Sequence, residues 1–360
     1  MHTNMYIYIT QTCVCSHVHP CFPNLHPMAS VTESSYRVLA LYNFVSPKLE
    51  SSSLVSLRDD LETRCRSCQA RGALILSTEG INGTICYPNP CGTDALLSHL
   101  KDLFPKLLIR ISYDSANVFY RLKVKIKKSI ISMGNDDSDD DQDTIDPTTL
   151  VGEYVQPGPD WDALLEDPDC LVVDTRNDYE VRVGTFRNAV NPQTENFSDF
   201  PAWLANQKQQ QSSPPQKIAM FCTGGIRCEK ATSLARRLFP DTNVYHLKGG
   251  ILGYLDTVPP DQSTFEGDCY VFDRRVAVTH GLKPSQSLTA CHACRTPLQE
   301  TDRQHPHYRD GLSCPYCYDN KTCSQKERYA MRQLQIGLAL QRNNRPHLHD
   351  AKEAKEDSFG

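Results

Sequence analysis

The stretch KIAMFCTGGIRCEKATSLARRL, Lys217 to Leu238, admits few architectures. A short apolar run, Ile218 to Phe221, ends at Cys222, two glycines and Arg227 follow, and Cys228 to Leu238 reads as a helix. A buried strand that turns through glycines into a helix is the unit of an open α/β sheet, where ligands sit at the carboxyl ends of the strands. The turn also changes the chemistry of the thiol. Backbone N–H groups and a helix dipole aimed at sulfur bring its pKa down from about 8.5 and populate the thiolate at neutral pH. Cys222 is therefore the candidate catalytic nucleophile and Arg227 its charge partner, with Thr223, Gly224, Gly225 and Ile226 as the anion cradle between them. The competing reading is a buried structural cysteine at a strand end.

Four residues separate Cys222 from Arg227. This length resembles the loop of rhodanese-type sulfurtransferases and is one residue shorter than that of cysteine phosphatases and arsenate reductases. A shorter loop suits one extra sulfur better than a phosphoryl group. It predicts that Cys222 cycles through a persulfide whose charge is stabilised by the loop amides and Arg227. Cys228 either resolves or shields that intermediate, or packs in the first turn of the helix.

The α/β pattern extends on both sides. Trp161 to Glu166 and Phe200 to Gln207 read as helices, Leu171 to Asp174 and Val244 to Leu247 as strands, and Lys248-Gly249-Gly250 as a turn into a last helix. Together they predict a parallel-sheet rhodanese domain over 148–262. Upstream, strands at Tyr36 to Val45, Ala73 to Ser77, Thr84 to Tyr87 and Leu108 to Tyr113 are interleaved with helices at Leu54 to Cys68 and Thr93 to Leu103, with Asn82-Gly83 as a turn. The order βαββαβ predicts a ferredoxin-like (acylphosphatase-like) domain over 34–131, with helices on one sheet face and the other free to bind. Close behind, FYRLKVKIKKSI alternates. Arg121, Lys123, Lys125 and Lys127 share one face of a strand, opposite Leu122, Val124 and Ile126. Such a stripe can track nucleic-acid phosphates, and it equally describes a solvent-facing strand.

Composition bounds the remainder. With 39% apolar and 22% charged residues over 360 positions, the chain is ordinary for globular domains, and no run approaches the length of a membrane span. The 16 cysteines do not form a secreted framework, and a reducing compartment, the cytoplasm before an organelle, is the expectation. Residues 1–27 contain Cys13, Cys15, Cys21 and four histidines but no Asp, Glu, Lys or Arg. With Met28 as a start site, 1–33 reads as a disordered or untranslated extension, against a Cys/His metal clip. Residues 135–143, NDDSDDDQD, carry six aspartates, more than the whole formal charge of −5, and mark 132–147 as a solvated linker. In a Cys-rich segment over 263–333, Cys291, Cys294, Cys314 and Cys317 form two CxxC pairs at the spacing of a four-thiolate structural Zn²⁺ site, with free thiols as the alternative. His305, His307 and Cys323 lie near. A basic helix from about Gln325 is expected to fray, leaving 334–360 disordered. His246 and His280 read as packing residues, and no flavin fingerprint or iron-binding facial triad is evident.

Several strings together resemble the tRNA uridine hydroxylase family of rhodanese-domain proteins. They are EGINGT (79–84), RLKVKIKK (121–128), DTRNDYE (174–180), GTFRNAVNP (184–192), MFCTGGIRCEKA (220–231), YHLKGGI (245–251), VFDRRVAVTHGL (271–282), CHACR and SCPYCYD. The resemblance spans roughly Tyr36 to Gln333. It implies oxygen-dependent conversion of the wobble uridine of tRNA to 5-hydroxyuridine, with Cys222 as a persulfide-type nucleophile and Arg121 to Lys128 as a tRNA surface. On that reading the N-terminal sheet grips the anticodon arm while the Cys222 loop faces the base. The aspartate-rich insert and residues 1–27 depart from the family pattern without touching a motif. Two other functions compete. The loop alone supports plain sulfur transfer through a Cys222 persulfide, and a rhodanese fold can serve as a non-catalytic scaffold, which the intact Cys222 and Arg227 argue against.

Overall fold

The computed structural model describes residues 36–90, 94–134, 145–210 and 214–341. The N-terminal extension, the aspartate run and the end of the tail lie outside the described residues. The first domain consists of β1 (Tyr36–Phe44), α1 (Leu54–Ser67), β2 (Arg71–Ser77), β3 (Gly80–Pro88), α2 (Ala95–Leu103), β4 (Leu108–Asp114) and β5 (Leu122–Ile126). The sheet order β4-β1-β3-β2-β5 is the ferredoxin-like arrangement extended by one edge strand, with β5 parallel to β2. Alternation dictates which face is buried. Leu39, Leu41, Leu74, Leu76 and Val124 point to the helices and join Leu61 and Leu100 in one core. Asp94 caps α2 by accepting a 2.9 Å hydrogen bond from the Leu97 N–H.

Asn82-Gly83 is not the turn that its composition predicts. The β2–β3 connection is Thr78-Glu79, and Asn82 and Gly83 lie inside β3 opposite Ile75 and Leu74. The glycine serves close packing: a Cβ at Gly83 would lie 2.0 Å from the Ala73 carbonyl oxygen. Register won over the local turn signal because it places Ile81 and Ile85 in the core.

The second domain contains β6 (Glu153–Val155), α3 (Pro159–Glu166), β7 (Cys170–Asp174), α4 (Asp178–Val181), β8 (Gly184–Phe186), α5 (Phe200–Gln210), β9 (Lys217–Phe221), α6 (Ile226–Leu238), β10 (Asn243–Leu247) and α7 (Gly250–Thr257). Its four-stranded sheet has the order β6-β10-β9-β7, and every pairing in it is parallel. One sheet face packs on an aromatic cluster in which Phe186 meets Phe221 and Tyr254 edge-on at 4.9 and 4.8 Å. The other face packs Ile218 and Met220 against Phe200 and Ala231.

The free face expected of the first sheet is instead turned toward the second domain. Tyr42 of β1 donates to Glu229 of α6 at 2.8 Å, Lys230 pairs with Glu79 at 3.0 Å, and Arg110 of β4 pairs with Asp256 of α7 at 2.6 Å. The downstream segment adds Arg275 to Ser112 at 2.9 Å. Beyond it, short β-ladders surround the CxxC pairs, and a helix runs from Cys323 to Gln341. That helix runs past 334, and Ala, Met, Gln, Leu and Arg, residues of high helix propensity, dominate its sequence. Among the described residues no helix is long and apolar enough to cross a membrane.

Candidate active site around Cys222

Cys222 follows β9 directly and is 1% exposed. The loop carbonyls of Cys222 and Thr223 accept 2.9 Å hydrogen bonds from the Ile251 and Leu252 amides at the start of α7, which fixes the turn. The Gly225 amide donates to the sulfur at 3.1 Å. Gly225 is required twice over: its φ is +104°, and a Cβ there would lie 2.8 Å from the Tyr42 hydroxyl. Burial by itself raises the Cys222 pKa. Opposing it are a hydrogen bond from the Cys228 thiol, the charge of Arg227 and the amides of Cys228 and Gly225, and the balance lowers it to about 6. Cys228 is pushed the other way, well above the ordinary value, by burial and by the neighbouring sulfur that accepts its proton. Its sulfur also lies 3.7 Å from the Thr175 hydroxyl.

Arg227 does not turn its terminal nitrogens to the sulfur. They form two hydrogen bonds to Glu180, at 2.7 and 2.8 Å, and one also reaches the Thr223 hydroxyl at 3.2 Å. Its influence on Cys222 is therefore that of a nearby fixed charge. Glu180 is fully buried. Burial alone would raise its pKa, but the charge and hydrogen bonds of Arg227 outweigh that and hold it below the ordinary carboxylate range. The sequence reading missed Glu180. The signal was present in NDYE, where Asn177 and Glu180 form a capping box at the start of α4. Earlier in the same motif, Asp174 and Arg176 form a buried pair at 2.7 Å that also engages the Gly184 carbonyl and the Thr185 hydroxyl.

The Cys222 loop and the first sheet together enclose a cavity of about 950 Å³. Tyr42, Asn82, Thr84 and Arg110 contribute from the sheet, and Thr223, Gly224, Ile226 and Glu229 from the loop and α6. A Cβ at Gly224 would meet nothing within 4 Å, so the loop backbone is open to the cavity. Phe272 stands on the lining and is 62% exposed. His246 is buried, its ring lies 4.2 Å from that of Tyr154 at a tilt of 46°, and burial lowers its pKa to about 4.

The four cations of the basic stripe are exposed, with Arg121 and Lys127 flanking β5 rather than lying inside it. They are not on the cavity lining. Register nevertheless aligns them with it: Arg110, Ala40, Thr84, Ala73 and Lys123 form one row across the sheet, and Leu108, Tyr42, Asn82, Ile75 and Lys125 the next. Lys123 and Lys125 thus share the cavity's sheet face, two strand spacings or about 10 Å beyond Thr84 and Asn82.

The sulfurs of Cys291, Cys294, Cys314 and Cys317 all lie within 4.8 Å of one another, a cluster that could hold a metal ion. Separations of 3.6 Å (Cys294–Cys314), 3.7 Å (Cys314–Cys317) and 4.0 Å (Cys291–Cys317) are far beyond disulfide length. His305, His307 and Cys323 are not part of this cluster.

A thiol on a strand-to-helix loop, roofed by a ferredoxin-like sheet, defines a rhodanese-superfamily thiol enzyme with an added N-terminal domain. Residues 36–130 match the UPF0176 acylphosphatase like domain, and residues 160–257 match the Rhodanese-like domain. The chain is 48% identical to a protein of Acaryochloris marina over 86% of its own length and 95% of the relative's. It is 46% identical to one from Rhizobium leguminosarum bv. trifolii (88% and 98%) and 45% identical to one from Teredinibacter turnerae (88% and 94%). Each of the three is named tRNA uridine(34) hydroxylase. The chain belongs to the tRNA uridine(34) hydroxylase family.

Proposed function

We propose that the protein hydroxylates the wobble uridine of tRNA at C5, in an oxygen-dependent reaction with Cys222 as nucleophile. The observation that carries this reading is the cavity that both domains form over Cys222. At about 950 Å³ it lies at the upper end of the usual range for small-ligand pockets, about 300–1,000 Å³, and is far larger than sulfur transfer needs. A nucleotide drawn out of an anticodon loop fits such a space, and extrusion costs little from an already single-stranded loop. Addition of the Cys222 sulfur, as thiolate or persulfide, to the pyrimidine C6 makes C5 electron-rich toward an oxidant. The loop amides and the Arg227 charge favour the anionic sulfur. Phe272 at the rim offers a stacking surface to a neighbouring base, and Lys123 and Lys125 extend the same face for phosphates of the anticodon arm.

The four-thiolate cluster fits Zn²⁺: tetrahedral Zn–S bonds of about 2.3 Å set sulfurs roughly 3.8 Å apart. Zinc there would pin the C-terminal knuckle, to which Arg332 of the last helix is hydrogen-bonded through the Gly311 carbonyl at 3.0 Å. The substrate and a reducing environment for the thiols fit the cytoplasm. Sulfur transfer to a small acceptor remains the rival reading, supported by the loop alone. Nucleoside mass spectrometry of tRNA from cells lacking the protein decides the matter. Wild type is expected to restore 5-hydroxyuridine derivatives at position 34 and Cys222→Ala to restore none, whereas restoration by Cys222→Ala contradicts the proposal.

A further inference from the structure

Glu229 is a buried carboxylate in the first turn of α6 that faces the same cavity as Cys222. Its oxygens accept hydrogen bonds from two tyrosines on different domains: Tyr42 of β1 at 2.8 Å, and Tyr154 of β6 at 2.9 and 2.8 Å. Among the described residues no cation forms an ion pair with it, although Arg110 and Lys248 stand on the lining of the same cavity. Its neighbour Lys230 turns to Glu79 and Ser129, and Arg227 is engaged with Glu180. Besides the two tyrosines, the Cys222 sulfur acts on it, and the ring of His246 lies behind Tyr154. Burying a carboxylate with hydroxyl donors and no ion-pair partner disfavours its charged form. Burial, reinforced by the Cys222 charge, keeps it more basic than an ordinary carboxylate despite the tyrosine hydrogen bonds. That is the condition a general base needs.

We infer that Glu229 is the base that completes the reaction, with Tyr42 and Tyr154 as the residues that position it. The inference rests on the hydroxylation reading above. Once C5 carries the hydroxyl and C6 the Cys222 sulfur, the ring must lose both the C5 proton and the sulfur. Glu229 takes the C5 proton, the C5–H electron pair becomes the C5=C6 bond, and the C6–S pair leaves on Cys222. The product is 5-hydroxyuridine and a regenerated sulfur anion, with no net change of oxidation state in this step. Tyr42, seated against both Gly225 and Glu229, couples the carboxylate to the nucleophile loop.

Glu229→Gln in the full chain keeps the shape and one acceptor while removing the basicity. Turnover on tRNA should fall by about 10²–10⁴, with KM falling alongside kcat, and a covalent Cys222–tRNA species should accumulate on denaturing gels because elimination is blocked. Glu229→Asp, which keeps a carboxylate, should recover part of the rate without the adduct, which separates the chemical role from a folding defect. Turnover within about threefold of wild type, or a loss of turnover with no adduct while Cys222 still alkylates normally, overturns the assignment. Wild-type protein that forms no 5-hydroxyuridine overturns instead the functional reading beneath it.

Discussion

Cys222 was legible from its neighbours because the determinants of thiol reactivity are local: a strand end, glycines and a helix start. What completes the site was not. Glu180 and Glu229 act on groups 47 and 187 residues away in sequence, so their pairing exists only in the fold. Cys228, which the sequence left open between reaction and packing, is fully buried, and its thiol is among the groups that lower the Cys222 pKa. The pH dependence of alkylation tests this. Wild-type Cys222 should titrate near pH 6, and Cys228→Ala, which removes a donor to the anion, should raise the midpoint by about one unit. An unchanged midpoint would show that the Cys228 thiol does not support the thiolate. The sign for stability follows. A folded pKa below the unfolded one means the thiolate contributes stability that is complete above about 8.5 and is lost as pH falls through about 6.

Periodicity identified most elements and their faces, because alternation and the helical repeat record burial directly. It failed where a local signal met a tertiary demand. Asn82-Gly83 reads as a hairpin turn, yet the register needed by Ile81 and Ile85 keeps it inside β3. The alternation in RLKVKIKK was read correctly for Lys123, Val124 and Lys125, but not its position, since nothing local tells an edge strand from a central one. That position puts Lys123 and Lys125 of β5 on the cavity's sheet face. Lys123→Glu with Lys125→Glu should weaken tRNA binding and lessen the slope of log affinity against log salt by about 1–2, while leaving Cys222 alkylation unchanged. Binding and slope equal to wild type would exclude β5 from the RNA path.

At the scale of the molecule, the two domains were each predictable, but their relation was not. The aspartate-rich segment between them carries no information about docking. Docking arises from scattered pairs, Tyr42–Glu229, Glu79–Lys230 and Arg110–Asp256, which turn an open sheet face into the roof of the Cys222 cavity. The central claim is that this composite cavity exists to bring a tRNA base to Cys222. Incubating the purified full chain with unmodified tRNA in air, and in parallel with thiosulfate and cyanide, tests it most directly. The account predicts 5-hydroxyuridine confined to position 34, abolished by Cys222→Ala, with little thiocyanate formed. Robust thiocyanate formation beside an unaltered uridine 34 would contradict it.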